Sequence, residues 1–298
     1  MTGNVWFISG ATSGFGKHIA LEALSRGDKV VATARSATSS KVTAELGSRG
    51  ALLLDLDVTA GDAAIKAALD RAVAAFGRIT HFINAAGYIL QGPIEGATPA
   101  DVQRTFDVNV LGNMALVRHQ VAYLRTRDGG GAGGVIANFG SLASWGGGPG
   151  FAYYSAVKWA VSGFTESLHA EVKDFGISAV VIEPGYFRTG FLNSGGGNRQ
   201  FVANQMADEY RGTGVEQVGA ALDMVNDNQP GDVVKGCRVI VDVLTRSGVA
   251  EGREIPMRLL LGPDVIQGVK DKIASTQQLL AQWEGIASST DHDDVKKA

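Results

Sequence analysis

Val5-Trp6-Phe7-Ile8-Ser9-Gly10-Ala11-Thr12-Ser13-Gly14-Phe15-Gly16 is the stretch on which the reading of this chain turns. A short apolar run of strand length passes into three closely spaced glycines, and from His18 to Arg26 the pattern turns helical before Gly27 closes it. A strand that enters a helix through glycines leaves backbone free of Cβ atoms at a helix N-terminus. There the unpaired N–H groups and the helix dipole favour an anion. A merely tight strand-to-helix connection would use the same residues, so the rest of the chain has to decide.

Working outward, the first two hundred residues repeat the strand-then-helix alternation, which is the mark of βαβ units and a parallel sheet covered on both faces. Strands are predicted at Lys29–Thr33, Ala51–Asp55, His81–Asn84, Gly134–Phe139 and Ile177–Ile182. Helices are predicted at Ala63–Phe76, Pro99–Leu124 and Ser155–Asp174. Right-handed crossovers make this a single doubly wound α/β sheet of Rossmann type, with ligands at the carboxyl ends of its strands. Beyond Pro184-Gly185 the pattern weakens. Helical stretches are predicted at Phe201–Arg211, Val215–Val225 and Val233–Leu244, an edge strand at Arg258–Leu261, and an amphipathic segment at Val265–Trp283. This reads as one domain over residues 1–287, with a substrate lid at about 186–230, a C-terminal helical extension at 250–287 and a disordered tail at 288–298. The glycine cluster at 129–134 reads as a loop before a strand, because no helix and no Lys-Ser/Thr pair follow it.

Composition narrows the function. With 27 Lys+Arg against 30 Asp+Glu the net charge is −3, which argues against a nucleic-acid partner. Hydrophobic residues at 45% support a large core. The single cysteine, Cys237, excludes an internal disulfide framework, and no apolar run suits a signal segment or membrane span, so a cytoplasmic location is predicted. The five histidines show no metal-ligand spacing, and no metal is predicted.

The order of motifs resembles the short-chain dehydrogenase/reductase family. The glycine turn is spaced G-x-x-x-G-x-G rather than G-x-G-x-x-G, and after it come Asp57-Val58, Asn84-Ala85-Ala86-Gly87, Asn109, Ser141, Tyr154-Ser155-Ala156-Val157-Lys158 and Pro184-Gly185. The resemblance implies a nicotinamide dinucleotide cofactor held by Gly10, Thr12, Ser13, Gly14, Phe15 and Gly16. It would further touch Arg35, Asp57, Val58, Asn84, Ala85, Ala86, Gly87, Tyr154, Lys158, Pro184, Gly185 and Thr189. At the end of the second strand, where an acidic residue would accept from the ribose hydroxyl of NAD, the chain has Ala34 followed by Arg35. A 2′-phosphate would take a charge-assisted bond there, so NADP(H) is predicted over NAD. Within the family, the Val31–Arg35 stretch and the C-terminal extension resemble the 17β-hydroxysteroid and retinol dehydrogenase branch.

Tyr154 and Lys158 are four residues apart and share one helix face. A phenol relays protons poorly near neutrality unless a cation stabilises its phenolate, a role that Lys158 fits. Tyr153 lies about 100° off that face and is assigned to packing or substrate contact. By the resemblance, Ser141 donates to the substrate oxygen and Asn109 holds a water that links Lys158 to solvent. Leu142, Trp145, Tyr153, Tyr186, Phe187 and Phe191 are the candidate substrate wall, an apolar set suited to a hydrophobic ketone, aldehyde or alcohol. Redox-neutral chemistry on the same fold and a non-catalytic dinucleotide sensor are the alternatives. Small residues on the Tyr154 helix point to a homodimer.

Overall fold

The computed structural model describes residues 3–127, 133–193, 195 and 198–292. Residues 129–132 of the glycine cluster, Gly196 and Gly197 of the lid loop and the last six residues of the tail lie outside the described set.

β1 (Val5–Ser9), β2 (Lys29–Ala34), β3 (Leu52–Asp55), β4 (His81–Asn84), β6 (Gly134–Phe139), β7 (Ile177–Pro184) and β9 (Arg258–Leu261) form one parallel sheet ordered β3-β2-β1-β4-β6-β7-β9. The chain therefore reverses direction across the sheet between β1 and β4, where a ligand crevice opens. Successive side chains point to opposite faces of a strand. Accordingly Trp6 and Ile8 of β1 join the core under α1 (Gly14–Ser25) and α8 (Val233–Thr245). Phe7 joins the core under α3 (Asp62–Phe76), α5 (Gly112–Thr126) and α6 (Ala152–Val172). With both faces covered, the strands read as unbroken apolar runs rather than alternating ones.

Several elements depart from the sequence reading. The helix predicted over Pro99–Leu124 is two helices, α4 (Pro99–Phe106) and α5, joined by a π-helical stretch at Asp107–Leu111. Its cause is local: buried Asn109 accepts from the Tyr88 amide and donates to the Thr105 carbonyl, while Gly112 sits so close to Val58 that a Cβ would lie 2.8 Å from its side chain. The helix predicted at Phe201–Arg211 is absent. In its place β8 (Arg199–Phe201) pairs with β5 (Ile89–Gln91), and the following amides bond outward, Val202 to the Gln91 carbonyl and Ala203 to the Asp101 carboxylate. Those long-range partners replace the i−4 bonds a helix would need. A short helix, α2 (Ala44–Ser48), was not foreseen, and α7 (Gly214–Val225) was. The terminal helix α9 runs Pro263–Ala287, longer than predicted, and Ser288–Thr290 continues it as a 3-10 turn where disorder was expected. No helix among the described residues is long and apolar enough to cross a membrane.

Candidate active site

A cavity of about 810 Å³ runs along the carboxyl ends of the strands, from Arg35 and Asp57 past the glycine turn to Lys158. The turn is built for close approach. Gly10 has φ +70° and a Cβ on it would lie 2.7 Å from the Ala86 amide; one on Gly16 would lie 2.4 Å from the Gly10 carbonyl. Only glycine lets α1 begin this near the end of β4. Its first-turn residues Gly14, Phe15 and Gly16 therefore line the cavity, and Thr189 closes the turn from the other side, next to Gly14.

At the inner end, α6 presents Tyr154 and Lys158 together, 8% and 6% exposed, with the ammonium 5.7 Å from the centre of the phenol ring. Ser141 caps the 3-10 turn Leu142–Ser144, its hydroxyl accepting from the Ala143 amide, and it lines the cavity together with Tyr154. Lys158 Nζ donates to the Phe139 carbonyl at 2.8 Å. Burial pushes the Tyr154 phenol up to about 12, opposed by the Ser141 hydroxyl, and pushes Lys158 down to about 8. This differs from the expectation that Lys158 sets the phenol's proton affinity: desolvation dominates, and the phenol stays protonated.

The residues assigned to the cofactor line this cavity with one clear exception. Gly10, Thr12, Ser13, Gly14, Phe15, Gly16, Arg35, Asp57, Val58, Ala85, Ala86, Gly87, Pro184, Gly185 and Thr189 are all on its wall. Asn84 is not. It is buried and spent on Gln120 and Asn138, tying β4 to α5 and β6. Asn109 also stands behind the wall, its Oδ1 packed against Gly87, the glycine that Lys158 Nζ also approaches.

Of the substrate set, Leu142, Trp145, Tyr186, Phe187 and Phe191 line the cavity. Phe187 is also core, its ring edge-on to Phe15 at 5.1 Å. Tyr153 turns away, as its helix angle requires: its hydroxyl donates to the Ile94 carbonyl and its ring packs on Tyr88, Leu90 and Val202. Lid residues complete the wall, with Leu192, Asn198, Gln200, Val218 and Leu222 facing in. Arg199, buried, anchors the lid to Gln91 and Asp223 at 2.7 and 2.5 Å, and the Asn198 amide reaches Ser13 at 3.4 Å.

Sequence reasoning missed two residues. Glu183 is wholly buried beside Pro184 and accepts from Trp145 Nε1, Ser162 Oγ and Arg258 Nη1, at 2.8, 2.7 and 2.5 Å. It fixes the Trp145 ring, over which Arg258 lies at 4.6 Å. A carboxylate inside an apolar strand was the signal. Gln229, 1% exposed on the cavity wall, has its Oε1 without a hydrogen-bond partner among the described residues. Nothing in its sequence context marks it.

The close-packed glycine cradle and this orphaned acceptor fit a dinucleotide, whose pyrophosphate needs amide donors and whose carboxamide offers an N–H. Comparison with known proteins agrees. Residues 4–200 match the short chain dehydrogenase family. An oxidoreductase of Botryotinia fuckeliana is 31% identical over 264 residues, 88% of this chain and 90% of that one. The 3-ketodihydrosphingosine reductase of Bacteroides thetaiotaomicron is 31% identical over 194 residues, 65% of this chain and 68% of that one. A short-chain dehydrogenase structure from Streptomyces avermitilis aligns with a TM-score of 0.82 at 30% identity, over 97% of this chain and 100% of that one. A Burkholderia phymatum relative in complex with NAD aligns at 0.74 and 22% identity over 99% of this chain and 98% of that one, a likeness of fold. Sheet order, glycine turn and sequence match thus lead to one conclusion, that this chain belongs to the short chain dehydrogenase family and is an NAD(P)-dependent oxidoreductase.

Proposed function

We propose that the chain interconverts a hydrophobic ketone or aldehyde and its alcohol with NADP(H), Tyr154 acting as general acid and base. The observation that carries this reading is the grouping of Ser141, Tyr154 and Lys158 at the inner end of one cavity with Leu142, Trp145, Phe191 and Leu222. When bound, the nicotinamide supplies the hydride in reduction and accepts it in oxidation.

The protein's part is the proton. Tyr154, held protonated by burial, gives its proton to the substrate oxygen as that oxygen gains charge, and Ser141 donates to the same atom. The phenolate left behind lies beside the Lys158 ammonium, which returns a proton; Asn109 holds the water through which Lys158 is recharged. A phenol kept neutral favours reduction near neutral pH, and oxidation gains as pH rises. Gly10 to Gly16 present amides to the pyrophosphate, Thr189 and Gln229 hold the carboxamide, and Lys158 holds the nicotinamide ribose. At the outer end Arg35, exposed and with no carboxylate at position 34, pairs with a 2′-phosphate, and Ser13 adds a hydroxyl donor.

The apolar wall supports a bulky hydrophobic substrate. So does the likeness to a reductase named for a 3-keto sphingoid base, and the resemblance of Val31–Arg35 to steroid and retinol dehydrogenases points the same way. The test is nicotinamide absorbance with a panel of steroid, retinoid and long-chain keto substrates, set beside short polar ketones. NADPH consumption with the hydrophobic set is the expected result. Turnover of polar ketones alone overturns the substrate class, and NADH used as well as NADPH overturns the cofactor choice.

A further inference from the structure

The terminal helix α9 does not end where the domain ends. Its inner face starts in the core, with Val265 fully buried and Val269 8% exposed, and continues past Gly268, which packs on Leu142, and Lys272, whose ammonium lies 5.7 Å from the Trp159 ring centre. From Asp271 to His292 every residue is exposed. The apolar stripe does not stop with the support: Ile273, Leu279, Leu280, Trp283 and Ile286 are 50%, 58%, 58%, 55% and 65% exposed. The unsupported part, from Thr276 to Ala287, is about 18 Å long.

We propose that this overhang is a docking surface for a second copy of the chain, the two α9 helices pairing antiparallel about a two-fold axis. Three observations select that occupant. First, Val269, Ile273, Thr276, Leu280, Trp283 and Ala287 follow one another in steps of four and three residues, the spacing of a helix-pairing seam rather than of a helix lying on a sheet. Second, the overhang is close to uncharged. Over Ile273–Thr290 the one charged residue is Glu284. A freely solvated helix is polar all round, and a helix lying on lipid headgroups carries Lys and Arg on its polar face. Third, the charges that exist are complementary in one orientation. With the axis between Thr276 and Leu280, Ile273 of one copy meets Trp283 of the other, Thr276 meets Leu280, and exposed Lys270 comes beside Glu284. Each contact occurs twice, as a two-fold interface requires.

The patch continues onto α6 through a groove of about 310 Å³ lined by Trp159, Ile273, Thr276 and Gln277. Trp159 is itself 45% exposed, so the seam has apolar surface to extend along. Even so the interface is at the small end for specific association, and it dissociates on dilution.

The experiment is sedimentation of the full chain over a range from submicromolar to hundreds of micromolar, for the wild type and for Leu280→Glu combined with Trp283→Glu. The wild type is expected to gain mass with concentration to an even multiple of 31.1 kDa. The double variant should have half that mass at the highest concentration, with the wild-type melting temperature at submicromolar concentration, because the replaced side chains are more than half exposed in the monomer. Lys270→Glu should weaken association, and Lys270→Glu with Glu284→Lys should restore it. A wild type that stays monomeric overturns the proposal, as does a double variant with wild-type mass. A blue shift of Trp283 emission on phosphatidylcholine or phosphatidylserine vesicles, lost in Trp283→Phe, would assign the overhang to lipid and overturn it too.

Discussion

The two ends of the cavity are built on opposite principles. At the inner end Tyr154 and Lys158 are buried on one helix face and their proton affinities are set by desolvation, about 12 and about 8. At the outer end Arg35 stands in solvent on a strand end, where screening limits what any charge can contribute. Chemistry belongs where water is excluded, because fixed dipoles and protons act strongly there. Discrimination between two cofactors that differ by one distant phosphate needs only a single exposed cation and the absence of a carboxylate beside it. Substitutions at the inner end should therefore change rate, and those at the outer end affinity and choice.

The largest effect tests the inner end. Tyr154→Phe is expected to lower turnover by about 10²–10⁴-fold while NADPH affinity, read by fluorescence titration, is kept. Tyr153→Phe should leave turnover near wild type, since its hydroxyl bonds the Ile94 carbonyl outside the cavity; reversed results would break the assignment of the two tyrosines. Lys158→Ala sits across the divide. It removes both the phenolate partner and the ribose contact, so turnover and cofactor affinity should fall together, by roughly tenfold or more each. Unchanged NADPH affinity in that variant would confine Lys158 to proton transfer.

At the outer end, Arg35→Ala is expected to weaken NADPH by about 1.5–3 kcal/mol and NADH little, the size of a charge-assisted bond. Ala34→Asp should shift preference toward NAD by placing a repulsive charge against the phosphate. Parallel losses for both dinucleotides would remove Arg35 from phosphate recognition and dissolve the contrast between the ends.

The gentlest effect is a slope in stability of the cofactor-free protein. Lys158 titrates near 8 when folded and near 10.5 when unfolded, so between these values the unfolded chain binds the extra proton and stability rises with pH. Tyr154 reverses the sign above pH 10, where the unfolded phenol ionises while the buried one stays protonated to about 12. Chemical denaturation should show a rise of at most about 1 kcal/mol per pH unit from pH 8 to 10. Lys158→Met should flatten it.

Much of this was legible in the order of residues. The i, i+4 spacing of Tyr154 and Lys158 was enough to separate Tyr154 from Tyr153, because helix geometry sends the neighbouring side chain a quarter-turn away. The glycine turn was legible because backbone freed of Cβ atoms has few uses between a strand and a helix. Asn84 was misread for a physical reason: an amide at a strand end serves equally well facing a ligand or facing Gln120 and Asn138, and local sequence does not say which way it turns. The helix expected at Phe201–Arg211 failed similarly, since Arg199 and the amides after it are satisfied by Gln91, Asp223 and Asp101, more than a hundred residues away in two of three cases.

By itself, then, the sequence determined the parallel sheet, the glycine turn and the shared helix face of Tyr154 and Lys158, which follow from apolar runs of strand length, from the 3.6-residue helix period and from spacings of a few residues. Tertiary structure alone decided that Glu183 is a buried carboxylate that holds Trp145 directly and pairs with Arg258, that Gln229 faces the cavity with an oxygen lacking a partner among the described residues, and that burial rather than charge governs the Tyr154 phenol. It also decided that α9 outruns the domain beneath it. Each of these depends on groups far apart in the chain being desolvated together, or failing to be, and desolvation is a property of the packed molecule that no local pattern encodes.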